Sequence, residues 1–351
     1  MSFSEDDVTE KLRNVNDPEL DEDIVSLEMV NEVEVDGATV LLEIDLPNES
    51  MKEELRDDIQ SELAKIQGIE NLQIEWAGED ASAEMESEMV PGVDNIIAVS
   101  SGKGGVGKST IAVNLACALS EDEDADVGLL DADVYGPNVP RMFGKADPPR
   151  VTKDEEIIPP EKDGIKVMSM GYLTGENSPV VWRGAMVHKA LTQLLGDVRW
   201  GELDYLIVDL PPGTGDAQLT IAQTIPVTGA VIVTTPQPVS LDDSRKGVEM
   251  FREANVDVAG IVENMSEFVC PDCDSSHDVF GSGGGEKLAE EFDLPLLGQI
   301  PLDPKVRTAS DSGKPFVFTD VDSPAKDAML ETADTTEERI QELAKKQLPM
   351  L

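Results

Sequence analysis

Nine residues, Gly102-Lys103-Gly104-Gly105-Val106-Gly107-Lys108-Ser109-Thr110, constrain this chain more than any other stretch. They follow the apolar run Ile96-Ile97-Ala98-Val99-Ser100 and precede Ile111-Ala112-Val113-Asn114-Leu115-Ala116, which has a helical pattern. The spacing fits the phosphate-loop pattern G-x-x-x-x-G-K-[ST] in the strand-then-helix context that the pattern requires. Glycines let backbone N–H groups close around phosphate oxygens, and a helix N-terminus adds partial positive charge. Lys108 would neutralise the outer phosphates and the Ser109 hydroxyl would ligate Mg²⁺.

The same residues, Gly102 to Gly107, also spell G-x-G-x-x-G. A dinucleotide site is the competing reading, with Asp131 as its ribose ligand. That site has no use for Lys-Ser directly after the last glycine. Lys103 separates the readings further, because a lysine just after the first glycine is not needed to hold phosphate within one chain. Here the sequence resembles the deviant-Walker family, which includes MinD, ParA, the nitrogenase iron protein and the Mrp/ApbC proteins. The resemblance implies that Lys103 reaches across a dimer to the partner's nucleotide, a trans-acting cation in phosphoryl transfer.

The chain has 351 residues, enough for two domains, and 40% of them are hydrophobic, within the globular range. No apolar run approaches the roughly 18 residues of a membrane span. The acidic start, Met1-Ser2-Phe3-Ser4-Glu5-Asp6-Asp7, lacks the apolar region of a signal peptide. These features predict a cytoplasmic protein without a membrane partner. Seventy-two acidic residues against 27 basic ones give a net charge of −45. That excess argues against nucleic acid as a partner, since phosphate binding needs basic patches. The acids run along the whole chain, which reads as adaptation to a salt-rich cytoplasm where self-repulsion is screened.

Residues 1–77 read as a separate small α+β domain. A helix is expected from Asp6 to Val15, strands over Val25–Val35 and Thr39–Leu46 joined around Asp36-Gly37, a helix from Glu49 to Ile66, and a last strand near Leu72–Trp76. Val15-Asn16-Asp17-Pro18-Glu19 with Ile24-Val25-Ser26-Leu27 resembles the small PaaD/SufT-like domain associated with iron–sulfur maturation. This segment has no cysteine, so a docking role is expected of it rather than cluster ligation. Residues 78–94 read as an acidic flexible linker, and 95–351 as the phosphate-loop domain. There strands alternate with helices, which predicts a mainly parallel, doubly wound sheet. A helix over Trp182–Val198 carries His188, to which no role is assigned. A final helix is expected over Thr335–Leu348.

Two strands end in acids. Val127-Gly128-Leu129-Leu130 runs into Asp131-Ala132-Asp133, and Asp204-Tyr205-Leu206-Ile207-Val208-Asp209 ends as a Walker B strand should. Ligands of α/β sheets bind at such strand ends. Asp209 would hold Mg²⁺ through water, facing Ser109, and Asp131 or Asp133 would orient the attacking water. The family resemblance makes Asp133 the hydrolytic residue and sets Asp131 nearer the metal. It also implies that Asn264 reads the adenine edge, with Pro301-Leu302-Asp303-Pro304 on the other side of the base. Asp216, after the glycines at 213 and 215, is either functional or the start of the next helix.

Three cysteines, Cys117, Cys270 and Cys273, do not make a disulfide framework. Cys117 reads as a buried small hydrophobe. Cys270-Pro271-Asp272-Cys273 can share one metal centre, but cubane clusters and structural zinc want four ligands. A twofold-related copy would supply the other pair. A zinc site with His277 and a redox dithiol are the alternatives.

Taken with Asp131-Ala132-Asp133-Val134-Tyr135-Gly136-Pro137, Pro211-Pro212-Gly213-Thr214-Gly215-Asp216 and Asn264-Met265-Ser266, the cysteine pair resembles the Mrp/ApbC iron–sulfur carrier ATPases. The resemblance implies a homodimer using ATP and Mg²⁺. It would hold a [4Fe–4S] cluster at the interface and pass it to apo iron–sulfur proteins, having received it from a scaffold or from free iron and sulfide. The competing functions are a partitioning or positioning ATPase of the MinD/ParA type and a non-hydrolysing scaffold.

Overall fold

A computed structural model describes residues 5–16, 23–27, 29–36, 39–45, 55–56, 59, 62–63, 65–66, 71–77, 90–121, 125–133, 136–144, 148–153, 156–173, 194–270, 273 and 275–347. The chain divides into two compact units, Met1–Glu86 and Ser87–Leu351.

In the first unit, α1 (Glu5–Leu12) precedes β1 (Val30–Asp36), β2 (Thr39–Asp45) and β3 (Asn71–Ala77). β1 and β2 are antiparallel, with Asp36 opposite Thr39, while β2 and β3 run parallel. A parallel pair needs a crossover. Helical residues 55–56, 59 and 62–63 lie on that connection, and Leu55, Ile59 and Leu63 are buried with Val8, Leu12, Val40, Leu42 and Ile44. The first expected strand starts late. Asp23 accepts a hydrogen bond from the Ser26 N–H at 2.8 Å, and this turn occupies residues that alternation alone would make extended.

The second unit is built on an eight-stranded sheet. Its strands are β4 (Val93–Ser100), β5 (Val127–Asp131), β6 (Glu161–Lys162), β7 (Ile165–Ser169), β8 (Leu203–Asp209), β9 (Gly229–Thr234), β10 (Val258–Asn264) and β11 (Leu296–Ile300). The order is β11-β10-β9-β4-β8-β5-β7-β6, parallel except for the β6–β7 edge. Buried apolar runs such as Ala230-Val231-Ile232-Val233 in β9 suit strands covered on both faces.

One face is covered by α2 (Lys108–Leu119) and α8 (Pro324–Gln347), around a core with Phe143 and Phe316. The other is covered by α4 (Asp216–Thr224), α5 (Pro238–Glu253) and α6 (Gly284–Phe292), around Trp200 and Phe251. Two short helices, α3 (Val139–Phe143) and α7 (Pro304–Asp311), flank the carboxyl ends of the strands.

Two boundaries differ from expectation. β4 begins at Val93, inside the expected linker, because Val90 is buried and the Gly92 carbonyl accepts from Leu203 N–H at 2.8 Å. α8 begins at Pro324 rather than Thr335, since the Ser323 hydroxyl accepts from Ala325 N–H and Ala325, Met329 and Ala333 extend the buried stripe. Most of the helix expected over residues 182–198, with His188, lies outside the described residues; 194–196 are helical.

Candidate functional site

β4, β8 and β5 are neighbours, so Asp209 is in register with both Val99 and Asp131. This places the phosphate loop and both acid-tipped strands at one end of the sheet. The loop lines a cavity of about 530 Å³ with Ser101, Gly104, Gly105, Gly107, Lys108, Ser109, Thr110 and Asp133. Arg141 of α3 and Asp311 of α7 also line it, 3.2 Å apart as an exposed ion pair.

The loop glycines have separate reasons. A Cβ on Gly102 would come within 2.2 Å of the backbone of Asp243 in α5, so the loop rests directly on that helix. Gly107 has φ 91°, and a Cβ there would lie 2.1 Å from the side-chain nitrogen of Asn264. Gly104 and Gly105 are exposed at the rim and Val106 is buried beneath them. Lys103 is half-buried and is not among the residues that line this cavity.

Lys108 is buried, and its Nζ donates to Asp209 Oδ1 at 2.5 Å and to Ser109 Oγ at 3.3 Å. Asp209 is fully buried, and its Oδ2 has no hydrogen-bond partner among the described residues. Burial pushes this carboxyl above its usual range, and the Lys108 ammonium pulls the other way. A buried carboxylate oxygen left open beside a hydroxyl fits a divalent cation held through water. The oxygen atoms of Asp209 and Ser109 therefore suit Mg²⁺.

Asp131 is used differently. Its Oδ2 accepts from Ser169 Oγ at 2.9 Å and from Val139 N–H at 3.1 Å, and its Oδ1 accepts from Asp133 N–H at 3.2 Å. It thus caps α3 and fixes Asp133. Burial first, and the nearby Asp209 second, raise its pKa to about 8. A carboxyl so enclosed cannot reach a ribose, which removes the dinucleotide alternative. Asp133 is nearly buried, lines the cavity and accepts from Gly136 N–H at 3.1 Å.

Asn264 ends β10 and donates from Nδ2 to the Val106 carbonyl at 2.8 Å. It grips the phosphate loop itself. Pro301 and Asp303, expected near the same base, line a second cavity of about 350 Å³ together with Cys270. Both carboxylate oxygens of Asp303 are occupied, one by the Lys305 N–H at the start of α7 and the other by Ser323 Oγ.

The cysteines sit on a two-stranded ribbon, Phe268–Val269 against Ser276–His277. Cys270 is half-buried and its N–H donates to the Ser275 carbonyl at 3.0 Å. Cys273 is exposed, and its thiol is held below its usual pKa, chiefly by hydrogen bonding with Ser275 and then with Cys270. His277 lies opposite Phe268, with ring centroids 6.5 Å apart. Among the described residues no three His, Cys, Asp or Glu side chains converge as a metal site, so the Cys270–Cys273–His277 zinc alternative has no geometric support. Cys117 is fully buried, and burial drives its thiol pKa well up, which leaves it inert.

Three contributors were not singled out from the sequence. Ser169 reaches Asp131 because β5 and β7 are in register there; no local signal marks it. Gln218, almost fully buried, donates to the Pro211 carbonyl and accepts from Ser100 Oγ at 3.3 Å, tying the loop after Asp209 to β4. Glu263 is a carboxyl inside an apolar strand, and that anomaly was a readable signal.

Comparison with known proteins agrees with this geometry. A family model described as the NUBPL iron-transfer P-loop NTPase (ParA) matches residues 92–337, and one for an iron–sulfur cluster assembly protein matches residues 5–76. The iron–sulfur cluster carrier protein of Deinococcus radiodurans is 47% identical over 342 residues, covering 96% of each chain. The iron–sulfur cluster transfer protein NUBPL of Mus musculus is 50% identical over 252 residues, 72% of this chain and 79% of that one. Among solved structures, the nucleotide-binding protein of Archaeoglobus fulgidus in complex with ADP is 38% identical, with a TM-score of 0.57 over 67% of this chain and 91% of that one.

Proposed function

This chain belongs to the NUBPL iron-transfer P-loop NTPase family, and on that footing we propose that it is an ATP-driven iron–sulfur cluster carrier. Its cargo is a [4Fe–4S] cluster, held by Cys270 and Cys273 of two copies of the chain and handed to apo-proteins. The observation that carries this reading is the ribbon. It presents two thiols, one of them exposed and shifted toward thiolate, directly downstream of the strand whose last residue grips the phosphate loop.

Two thiols leave a cubane short of two ligands, and an isologous dimer places the same loop of each chain on one axis. Delivery is then an exchange of thiolates between carrier and recipient, with no net oxidation or reduction. In the nucleotide site, loop N–H groups and Lys108 bind the phosphates, and Asp133 orients the attacking water. Ser109, and Asp209 through water, would hold Mg²⁺, which would supply positive charge to the phosphates. Lys103 serves the partner's nucleotide. Hydrolysis is slow, because cluster delivery is the output, and nucleotide ordering of the loops changes access to the cluster. Residues 1–77 act as a docking module for donor or client. The carrier works in the cytoplasm; among the described residues no helix is long and apolar enough to cross a membrane.

Anaerobic reconstitution tests the proposal. About one [4Fe–4S] cluster per dimer is expected from iron and acid-labile sulfide analysis, and Cys270→Ala should abolish it. A cluster retained in that variant would reject the assignment.

A further inference from the structure

β10 ends in two adjacent polar residues that face opposite sides of the sheet, as neighbours in a strand must. Asn264 holds the Val106 carbonyl of the phosphate loop at 2.8 Å. Glu263 is fully buried on the other side, where its Oε2 accepts from the Gly285 N–H at 2.5 Å and its Oε1 accepts from Gln299 Nε2 at 2.9 Å. Gly285 lies in the first turn of α6, the helix into which the cysteine-bearing insertion runs. The contact is tight: a Cβ on Gly285 would come within 2.7 Å of the Glu263 Cβ. Met265 follows immediately with φ 57°, a left-handed conformation that a side chain rarely adopts, so the joint between the pair and the ribbon is a constrained one.

We propose that Glu263 is a positioning residue that couples the phosphate loop to the cysteine ribbon. The ribbon has two supports on this strand. Upstream it continues from Asn264 through Met265; downstream it is tied back through Gly285 to Glu263. When nucleotide phosphates enter the loop, Val106 and its grip on Asn264 shift. Glu263, one residue away on the same strand, carries that displacement to the N-terminus of α6. Both supports move together only while the Glu263–Gly285 hydrogen bond holds. A buried acid at this point has a local alternative in any apolar residue that would fill β10 equally well, so its hydrogen bonds explain its presence better than packing does.

This coupling deepens the carrier reading and takes its purpose from it, but its test needs no iron. The probe is iodoacetamide alkylation of cluster-free protein, with the sites of modification read by mass spectrometry. Cys117 is buried and unreactive, so the rate reports Cys270 and Cys273. In the parent, Mg-ATP should change that rate by about fivefold, the low end of measured couplings between sites. Glu263→Ala should bind nucleotide like the parent and alkylate at one rate with or without it. Glu263→Gln should retain the response, because its amide oxygen can accept from Gly285 while Gln299 turns its own amide to match. Gly285→Ala, which displaces α6 with Glu263 intact, should also lose the response.

A parent rate indifferent to nucleotide would overturn the coupling, as would a normal response in Glu263→Ala. Loss of nucleotide binding in Glu263→Ala would overturn it too, by making the residue part of the nucleotide site. Failure of the carrier reading shows up separately, as absence of bound iron with the thiol response intact.

Discussion

The Lys108 ammonium lies 2.5 Å from a carboxylate oxygen of Asp209, and both side chains are buried. The contact joins the first residue of α2 to the last residue of β8, so it fastens the phosphate loop to the centre of the sheet before any nucleotide arrives. Incoming phosphates compete for the same ammonium. The other oxygen of Asp209 is buried and has no hydrogen-bond partner among the described residues, so the acid keeps a free acceptor as the lysine turns to phosphate.

Lys108→Ala should therefore do more than abolish nucleotide binding. Removing one partner of a buried pair costs about 3–5 kcal/mol, because the remaining charge is left without compensation. Asp209 already titrates above its usual range through burial, and without Lys108 it shifts higher. An acid whose folded pKa is raised keeps its proton in the folded state while the unfolded chain loses it. The variant's deficit relative to the parent should thus widen only as pH rises past the parent's own raised Asp209 pKa, since below it both folded states hold the proton. Thermal melts of both proteins on either side of that pKa check this; a deficit independent of pH would count against the pair.

Asp131 gives a pH effect of its own. The unfolded chain releases this proton near 3.8 and the folded chain near 8. Between those values the folded state holds a proton that the unfolded state has lost, so stability falls as pH rises through the window. For one fully uncoupled group the slope would reach about 1.4 kcal/mol per pH unit. Asp131→Asn should flatten the profile measured without nucleotide in high salt. At acid pH, where Asp131 is protonated in the folded and the unfolded parent alike, the variant should be less stable by about 1–2 kcal/mol, since an amide cannot accept from Asp133 and Val139 with both its terminal atoms, and that deficit should shrink as pH rises. A variant profile parallel to that of the parent would reject this account.

A net charge of −45 makes a third expectation. The screening length falls from about 10 Å at 0.1 M salt to about 3 Å at 1 M. The melting temperature should rise by several degrees over that interval in potassium chloride. Sodium chloride at equal ionic strength should act alike, because the effect is screening. A melting temperature that stays flat would mean the acids are already neutralised by local pairing.

The nucleotide site was legible because its signals are local: a glycine spacing, a lysine and serine at fixed offsets, and acids closing two apolar strands. The parallel sheet followed from alternation of those strands with helices. What could not be read was the use of side chains across long sequence distances. Asp131 looks like a ligand in sequence, yet Ser169 and Val139 claim it once β5, β7 and α3 are side by side. Asp303 likewise becomes a helix cap. The first strand of the small unit began late because a turn centred on Asp23 offered its backbone a partner that alternation does not register. Zinc ligation by His277 satisfied ligand spacing along the chain, but the ribbon sets that ring opposite Phe268.

The last prediction concerns Gly107 and Asn264. Gly107 combines φ 91° with a gap that Asn264 fills to within 2.1 Å of where a Cβ would sit. Two separate penalties therefore attend Gly107→Ala: a strained backbone and a collision. Asn264→Ala removes the hydrogen bond that pre-shapes the loop at Val106, and should weaken ATP binding about tenfold, the equivalent of one such bond. Gly107→Ala should lose binding by well over that factor. The double variant tells the penalties apart, since it relieves the collision but keeps the strain. It should bind more tightly than Gly107→Ala and more weakly than Asn264→Ala in isothermal titration with Mg-ATP. If it binds no better than Gly107→Ala, the asparagine is not what forbids a side chain there. If it equals Asn264→Ala, the left-handed backbone carries no cost, and the glycine is there for the close approach alone.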